Sequence, residues 1–318
     1  MSAVRVAAVD CGTNSIRLLV ADVDPATGEL VDLDRRMEIV RLGQGVDRTG
    51  RLAPEALERT FAACREYART IEQLGATRLR FAATSASRDA ENRDEFVRGV
   101  VAILGVEPEV ITGDQEAEFS FAGATRELSG RTDLERPYLV VDIGGGSTEF
   151  VVGDDAVRAA RSVDMGCVRL TERHGLSDPA TPEQIEAMRT DIAAALDEVE
   201  RAVPLASART LVGLAGTVTT LGGIALGLDA YDPAAIHHTR IGAAQVAVMT
   251  ERLLESTHDL RAMIPVIHPG RVDVIGTGAL ILRMIMDRAG TDEVVVSEHD
   301  ILDGIAHKAA EEAARESG

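Results

Sequence analysis

Two hydrophobic patterns alternate along the chain, continuous apolar runs and apolar residues at helical spacing, and their order predicts an α/β protein. Tyr138–Val141 is a continuous apolar run that follows Pro137, which is typical of a buried strand. In Pro54–Leu74, apolar residues instead recur every three or four positions, and Gly75 follows the last of them, which predicts a helix. Apolar runs and helical patterns succeed one another in this way in both halves of the chain. Their order therefore indicates helices layered on sheets.

One pattern occurs twice, about 130 residues apart. In the second copy, the apolar run before Asp142 is followed by three glycines, two hydroxyl residues and another apolar run that begins at Phe150. In the first copy, the strand Val4–Val9 leads through Asp10, a glycine and hydroxyl residues into Ile16–Val23. A glycine-rich turn after one strand is common in α/β proteins, whereas a repeated one is more specific. The repeat suggests two related halves that present their turns to a shared cleft.

The two halves are separated by a polar stretch. Residues 129–136 are polar and include Gly130, so we expect the domain boundary there. The first domain is predicted to span residues 1–128 and the second residues 129–299. A closing helix is predicted over residues 300–316.

Composition and charge exclude several functions. The 318 residues are enough for two domains, and 33 basic residues stand against 52 acidic ones, a formal net charge of -19. Nucleic-acid binding by bulk attraction needs a basic field, which this chain lacks. No apolar run is long enough to span a membrane, and residues near Met1 do not resemble a signal peptide. We therefore expect a cytoplasmic protein without nucleic-acid or membrane partners.

The repeated turns predict phosphate binding. Glycines remove side chains from one wall of a turn, so backbone N–H groups approach a phosphate oxygen closely. Carboxylates beside such an anion site require a cation, and Mg²⁺ is the usual one. Asp142, Glu149 and Asp10 are the predicted metal ligands. The predicted phosphate-binding residues lie in the two turns: Gly12, Thr13, Asn14, Ser15, Gly144, Gly145, Gly146 and Ser147.

Two further residues are candidates for catalysis. Arg88 lies in the polar stretch 84–92 after a predicted strand, read here as a loop, where sites form in open α/β sheets. Its planar guanidinium suits phosphate oxygens, although a solvent-exposed pair with Asp89 or Glu91 is the plainer alternative. Glu116 lies in the first turn of a predicted helix, where it is either a general base or a surface residue favoured by the helix dipole.

Two other patterns imitate functional sites. Cys11 and Arg17 are spaced as in the phosphate loop of cysteine-dependent phosphatases. The residues after Asn14 look like a strand rather than a helix, however, and Asp10 would oppose thiolate formation. His237 and His238 suggest a metal site, but adjacent histidines on a strand point apart, so loop or core histidines are the simpler interpretation.

Taken together, these motifs resemble the exopolyphosphatase/guanosine pentaphosphate phosphohydrolase (Ppx/GppA) family, in its short two-domain form. The resemblance rests on segments distributed over almost the whole chain: residues 10–17, 84–92, 113–117, 142–149, 163–170, 213–217, 271–273 and 297–298. It implies two ribonuclease-H-like domains of the actin-like, sugar kinase and chaperone ATPase fold, with the active site in the cleft between them. It also implies that the final helix packs on the first domain.

The resemblance assigns a role to each candidate. Glu116 would be the base that activates water, and Arg88 would clamp phosphate. Asp142 and Glu149 would hold Mg²⁺. The chain departs from the family in having Gln115 beside Glu116, where the family usually has paired glutamates, and in having Asp303 near its end.

We therefore expect an enzyme that releases the terminal phosphate of inorganic polyphosphate, or of guanosine pentaphosphate, by Mg²⁺-assisted attack of water. A homodimer is the expected assembly. Two alternatives remain at this point. One is a nucleotide phosphatase or kinase-like ATPase of the same fold, and the other is a non-catalytic sensor of polyphosphate or alarmone.

Overall fold

The computed structural model describes residues 3–316, so the first two residues of the predicted first domain lie outside it. The described chain divides into two compact units. One unit comprises the residues up to Arg126 together with those from Asp300 onward, and the other comprises Glu127–His299. None of the helices within residues 3–316 has the length and apolar character needed to cross a bilayer.

The first unit is built on a five-stranded sheet. The strands β1, β2 and β3 form an antiparallel meander, and β4 and β5 extend the sheet in parallel beyond β1, giving the order β3-β2-β1-β4-β5. The strands are β1 (Val4–Cys11), β2 (Ser15–Val23), β3 (Leu30–Ile39), β4 (Arg78–Ala83) and β5 (Glu109–Val110). The helices are α1 (Val46–Thr49), α2 (Pro54–Leu74), α3 (Ser85–Asp89), α4 (Arg93–Leu104) and α5 (Gly113–Thr125).

The second unit has a six-stranded sheet of the same plan, β8-β7-β6-β9-β11-β10. Here too a three-stranded antiparallel meander is followed by a parallel strand beside its first member. The strands are β6 (Tyr138–Ile143), β7 (Thr148–Gly153), β8 (Val157–Val163), β9 (Thr210–Leu214), β10 (Arg240–Gly242) and β11 (Glu293–Val296). The helices are α6 (Cys167–His174), α7 (Pro182–Glu200), α8 (Ala215–Leu226), α9 (Pro233–Ile236), α10 (Ala243–Glu255), α11 (His258–Ala262) and α12 (Ile275–Ala289).

The predicted fold class, α/β with two ribonuclease-H-like units, is confirmed by this repeated strand order. Strand β1 shows why the sheet of the first unit is covered on both faces. Successive side chains of a strand point to opposite faces, and here Ala7 and Val9 pack in the cluster formed with α2 and α4, whereas Val6 and Ala8 pack against the last helix. An uninterrupted apolar run such as β1 is the pattern expected of a strand buried on both sides.

The last helix, α13 (Ile301–Glu316), belongs to the first unit. Its apolar face, which includes Leu302 and Ile305, packs on the sheet. It also crosses α5 closely at two glycines. A Cβ on Gly123 would lie 1.8 Å from the backbone oxygen of Asp300, and a Cβ on Gly304 would lie 2.1 Å from that of Phe119. The two helix backbones therefore approach each other at a distance that only glycine permits.

One local prediction is wrong. Residues 84–92 are not a loop throughout, because Ser85–Asp89 forms the short helix α3, and Arg88 lies in its last turn.

The interpretation of His237 and His238 as loop or core histidines is confirmed, because both lie in the turn that follows α9. Their rings stack with centroids 3.7 Å apart, and His299 stacks on His237 at 4.8 Å. The backbone φ at His238 is +64°, in the left-handed region.

Gly304→Ala is expected to destabilise the first unit, because its Cβ would meet a backbone atom that no rotamer change moves aside. Overpacking of this kind costs about 1–3 kcal/mol. Gly130→Ala is a matched control, since a Cβ there meets nothing within 4 Å. Urea unfolding followed by circular dichroism should show a lower midpoint for the first variant only. An unchanged midpoint for Gly304→Ala would contradict the close approach of the two helices.

Candidate functional site

The two glycine turns have the same backbone geometry. In the first, the amide of Gly12 donates to the carbonyl oxygen of Ser15 (2.9 Å), and in the second, the amide of Gly144 donates to that of Ser147 (3.0 Å). Both turns join the first two strands of their meander. The internal repeat in the sequence is therefore a repeat in structure, down to the hydrogen bond that closes each turn.

In the second turn, the carbonyl oxygens are held from one side. The amide of Cys167 donates to Gly144 O (3.0 Å), and the amides of Val168 and Arg169 both donate to Gly145 O. Gly166 lies so close to the turn that a Cβ on it would be 2.2 Å from Gly145 O. The backbone amides at the N-terminus of α6 therefore hold the turn in place by binding the carbonyl oxygens of the turn.

The amide groups of the same turn, unlike its carbonyl groups, take little part in backbone hydrogen bonding. Within residues 3–316, the amides of Gly145, Gly146 and Ser147 donate to no backbone oxygen. Successive amides with this freedom form a concavity that binds anions. The second turn thus has the character expected of a phosphate site.

The first turn is also held by its carbonyl groups. Gly43 N donates to Thr13 O (2.9 Å), and Arg41 N donates to Asn14 O (2.8 Å). The hydroxyl of Thr13 lies 2.8 Å from that of Ser85 at the start of α3, so the turn is joined to the end of β4. Thr13 is buried, whereas Asn14 and Ser15 are half-buried.

Glu116 and Arg88 are in contact. Glu116 is buried, and its Oε2 lies 3.3 Å from Nη1 of Arg88. The same Nη1 donates to the backbone oxygen of Ile111 (2.8 Å), which directs the guanidinium from α3 towards the start of α5. The surface alternative for Glu116 is therefore wrong, because this residue is buried. Arg88 pairs with Glu116 and donates to the backbone, so it is not simply a solvent-exposed arginine.

Asp142 and Glu149 are paired by the strand register. They face each other across β6 and β7, and both are buried. Oε1 of Glu149 accepts a hydrogen bond from Ser162 Oγ (2.8 Å) on β8. Directly opposed side chains of an antiparallel pair have Cβ atoms about 5 Å apart, so two carboxyl groups of like charge share one small region.

This pair suits Mg²⁺, which takes one or two carboxylates and completes its shell with water and phosphate oxygens. Among residues 3–316, no three histidine, cysteine or acidic side chains assemble into a metal site by themselves. A Mg²⁺ ion held by this pair would complete its shell with other oxygens, such as those of water or phosphate.

Asp10 occupies the position of Asp142 in the first turn, but its surroundings differ. Arg17 faces it across β1 and β2 and donates to its Oδ2 from Nε (3.0 Å) and from Nη2 (2.6 Å). Nη1 of Arg17 donates to Asp300 Oδ2. Burial raises the pKa of Asp10, and the charge of Arg17 acts against that rise. Burial by itself would lower the pKa of Arg17, but Asp300 and Asp10 raise it well above its ordinary value, so the guanidinium stays charged.

Comparison with known proteins shows the family to which the chain belongs. A family model described as the Ppx/GppA phosphatase family matches residues 19–312. The chain belongs to this family. It is 51% identical to Exopolyphosphatase 2 of Mycobacterium tuberculosis over 96% of its own length and 98% of the relative's.

Two solved structures are also similar over nearly their whole length. One, an exopolyphosphatase-like protein, is 42% identical, with a TM-score of 0.95 and coverage of 99% of this chain and 100% of that one. The other is the Ppx/GppA family member of Aquifex aeolicus, which is 29% identical, with a TM-score of 0.78 and coverage of 99% of both chains. Membership of this family of phosphatases indicates a hydrolase.

Both departures from the Ppx/GppA pattern have structural roles. Gln115 and Thr112 form a reciprocal capping box at the start of α5, in which each side chain accepts a hydrogen bond from the backbone amide of the other. Asp303 is buried, pairs with Arg35, and accepts a hydrogen bond from Asp300 N at the start of α13.

Arg17 and Ser162 are the residues of this region to which sequence reasoning gave no role in the site. Arg17 belongs to the cysteine motif and to the family segment 10–17, but neither pattern gives it a role of its own. Its signal was a charged residue inside the apolar strand Ile16–Val23, which calls for a buried partner. Ser162 gave no such signal, because a serine in a strand is unremarkable.

Gln115→Glu is expected to leave the thermal unfolding midpoint nearly unchanged, since glutamate also completes a capping box. The rate of phosphate release should stay within about twofold of wild type. Thr112→Ala should lower stability by about 1 kcal/mol, because it removes the other half of the box. Thermal unfolding and a phosphate-release assay measure the two effects. A gain or loss of more than tenfold in turnover for Gln115→Glu would assign that position a catalytic role instead.

The three cysteines are expected to resist a thiol reagent such as DTNB in the native protein. All three are buried, and burial raises the pKa of Cys11 and Cys167 and brings that of Cys64 to about 12. Titration with DTNB should detect three thiols in denaturant and essentially none before it. Rapid modification of Cys11 in the native chain would revive the thiolate mechanism.

Proposed function

We propose that this protein is an exopolyphosphatase, which releases terminal orthophosphate from inorganic polyphosphate by Mg²⁺-assisted attack of water. The observation that carries the proposal is the pair of matching glycine turns, each closed by the same hydrogen bond and each preceded by a buried aspartate. The name of the M. tuberculosis relative, whose length the chain covers almost completely, supports polyphosphate as the substrate.

Glu116 is the proposed general base. It accepts a proton from water as the water oxygen bonds to the terminal phosphorus. The bridging P–O bond breaks, and its electron pair leaves with the shortened polyphosphate. The burial of Glu116 suits this role, because a water-poor environment strengthens the interaction of the carboxylate with a bound water molecule.

Arg88 has two proposed tasks. Its bond to the carbonyl of Ile111 fixes the guanidinium, and its contact with Glu116 orients the carboxylate. The remaining N–H groups of its planar fork suit phosphate oxygens. Arg88 would therefore couple the position of the base to that of the phosphate.

The amides of the two turns and the hydroxyls of Thr13 and Ser147 are proposed to cradle the phosphates. A local cradle of this kind is required because the chain as a whole carries a net charge of -19 and would repel a polyanion. Mg²⁺ on Asp142 and Glu149 would supply neutralising charge for the phosphate oxygens. Phosphoryl transfer depends mainly on such positioning and charge stabilisation.

Guanosine pentaphosphate is a second proposed substrate. The family model that matches the chain carries both names, Ppx and GppA, and the terminal phosphoanhydride has the same chemistry in both compounds. A homodimer is proposed as the working assembly, and the exposed apolar side chains of Val31 and Leu33 on β3 are one surface available to it. Sedimentation equilibrium of the purified chain measures the assembly directly.

Glu116→Gln is expected to lower kcat for phosphate release from polyphosphate by about 10²–10⁴-fold, because the amide cannot accept the proton. KM should change little. Glu118→Gln is the matched control on the same helix, where the side chain is exposed. Polyphosphates of several lengths, guanosine pentaphosphate and ATP are assayed side by side.

Three outcomes would contradict the proposal. Undiminished release by Glu116→Gln would remove that residue from its role. Turnover of ATP without turnover of polyphosphate would favour the kinase-like ATPase. Tight binding of polyphosphate without any release would favour the sensor.

A further inference from the structure

The two turns place different residues opposite the same aspartate. Register pairs Asp142 with Glu149 in the second unit and Asp10 with Arg17 in the first. In both turns the aspartate lies two residues before the first glycine, and its partner lies two residues after the serine that closes the turn. Arg17 is therefore the structural counterpart of Glu149.

This exchange removes one negative charge from the first turn and adds a positive one. In the second turn, two buried carboxylates of like charge share one region, which favours a cation between them. In the first turn, the guanidinium of Arg17 already lies against Asp10, with two N–H groups directed at one carboxylate oxygen. A metal ion at this oxygen would have to displace a charged group that remains protonated at any working pH.

Arg17 is also held by a second carboxylate, that of Asp300. Its Nη1 bonds to Asp300, and Asp300 Oδ1 accepts from Leu302 N (3.0 Å) in the first turn of α13. The side chain of Arg17 is only 19% exposed, and those of its two partners are 9% and 5% exposed. Moving Arg17 aside would leave two buried carboxylates without their cation, which is strongly destabilising.

We propose that Asp10 is not a metal ligand, and that Arg17 is a positioning residue which serves as a built-in cation in the first turn, where the second turn takes Mg²⁺. The inference rests on the proposed function for the identity of the metal. It divides the repeated turns between two tasks. The first turn binds phosphate beside a permanent internal charge, and the second binds phosphate through an exchangeable one.

The test measures metal binding rather than turnover. Isothermal titration with Mn²⁺ alone, as a substitute for Mg²⁺, compares wild type with Asp10→Asn, Asp142→Asn and Glu149→Gln. Asp142→Asn and Glu149→Gln should each weaken Mn²⁺ binding by at least about tenfold, the range seen when ligands or their supports are removed. Asp10→Asn should change it by less than about threefold.

A second measurement tests the ion pair itself. Arg17→Met should lower the midpoint of thermal unfolding measured in EDTA. The double variant that also carries Asp10→Asn should recover part of this loss, because one of the two carboxylates that have lost their cation is then neutral. Simple addition of the two single effects would deny the pairing. The Asp10→Asn titration decides the proposal even where Arg17→Met fails to fold.

The outcomes separate this inference from the proposed function. A tenfold loss of Mn²⁺ affinity in Asp10→Asn, or no Mn²⁺ site in wild type, overturns the inference and leaves polyphosphate hydrolysis to its own assay. The predicted pattern of Mn²⁺ binding in a chain that releases no phosphate upholds the inference and removes the hydrolase.

Discussion

Carboxylates inside this molecule have to be matched by cations or hydrogen-bond donors, and that requirement governs how both units are built. Charged groups lose their hydration on burial, so an unmatched one is costly. Around the first turn, Arg17 and Arg35 meet Asp10, Asp300 and Asp303 at the start of the last helix. The ion pairs that neutralise Asp300 and Asp303 also attach the last helix to the sheet. Neutralising these buried charges and packing the helix therefore depend on the same contacts.

The repeat gives the two units a common framework with different chemistry. Both have a meander, a closing hydrogen bond in the turn, and carbonyl groups held by neighbouring segments. Backbone atoms provide all of these contacts, so side chains that do not crowd the turn can differ between the two units. The residue opposite the aspartate is such a change: it is Glu149 in the second unit and Arg17, which pairs with Asp10, in the first. An acidic protein can offer a phosphate site by these means, because amides and fixed or bound cations act over short distances.

Much of the local structure could be predicted from short segments. The proline that begins α2 and the glycine that ends it are both present where the sequence places them. These features depend on residues within one or two helical turns of each other. The short helix α3 was missed because its five residues carry no apolar periodicity, and contacts at the end of β4 stabilise it instead. The stacking of His237 on His238 was missed for a similar reason, since no periodicity shows how the turn after α9 places the two rings.

By itself, the sequence determined the α/β class, the repeated turn and the choice of candidate residues, because each of these is written in local periodicity or in one short motif. Only the tertiary structure decided which charges meet. Arg17 and Asp300 are 283 positions apart, and Arg88 and Glu116 are 28 apart. Such pairs form where separate elements end at the same edge of a sheet or cross at a pair of glycines. The partner of a buried charge is therefore a property of the packed chain, which no single segment contains.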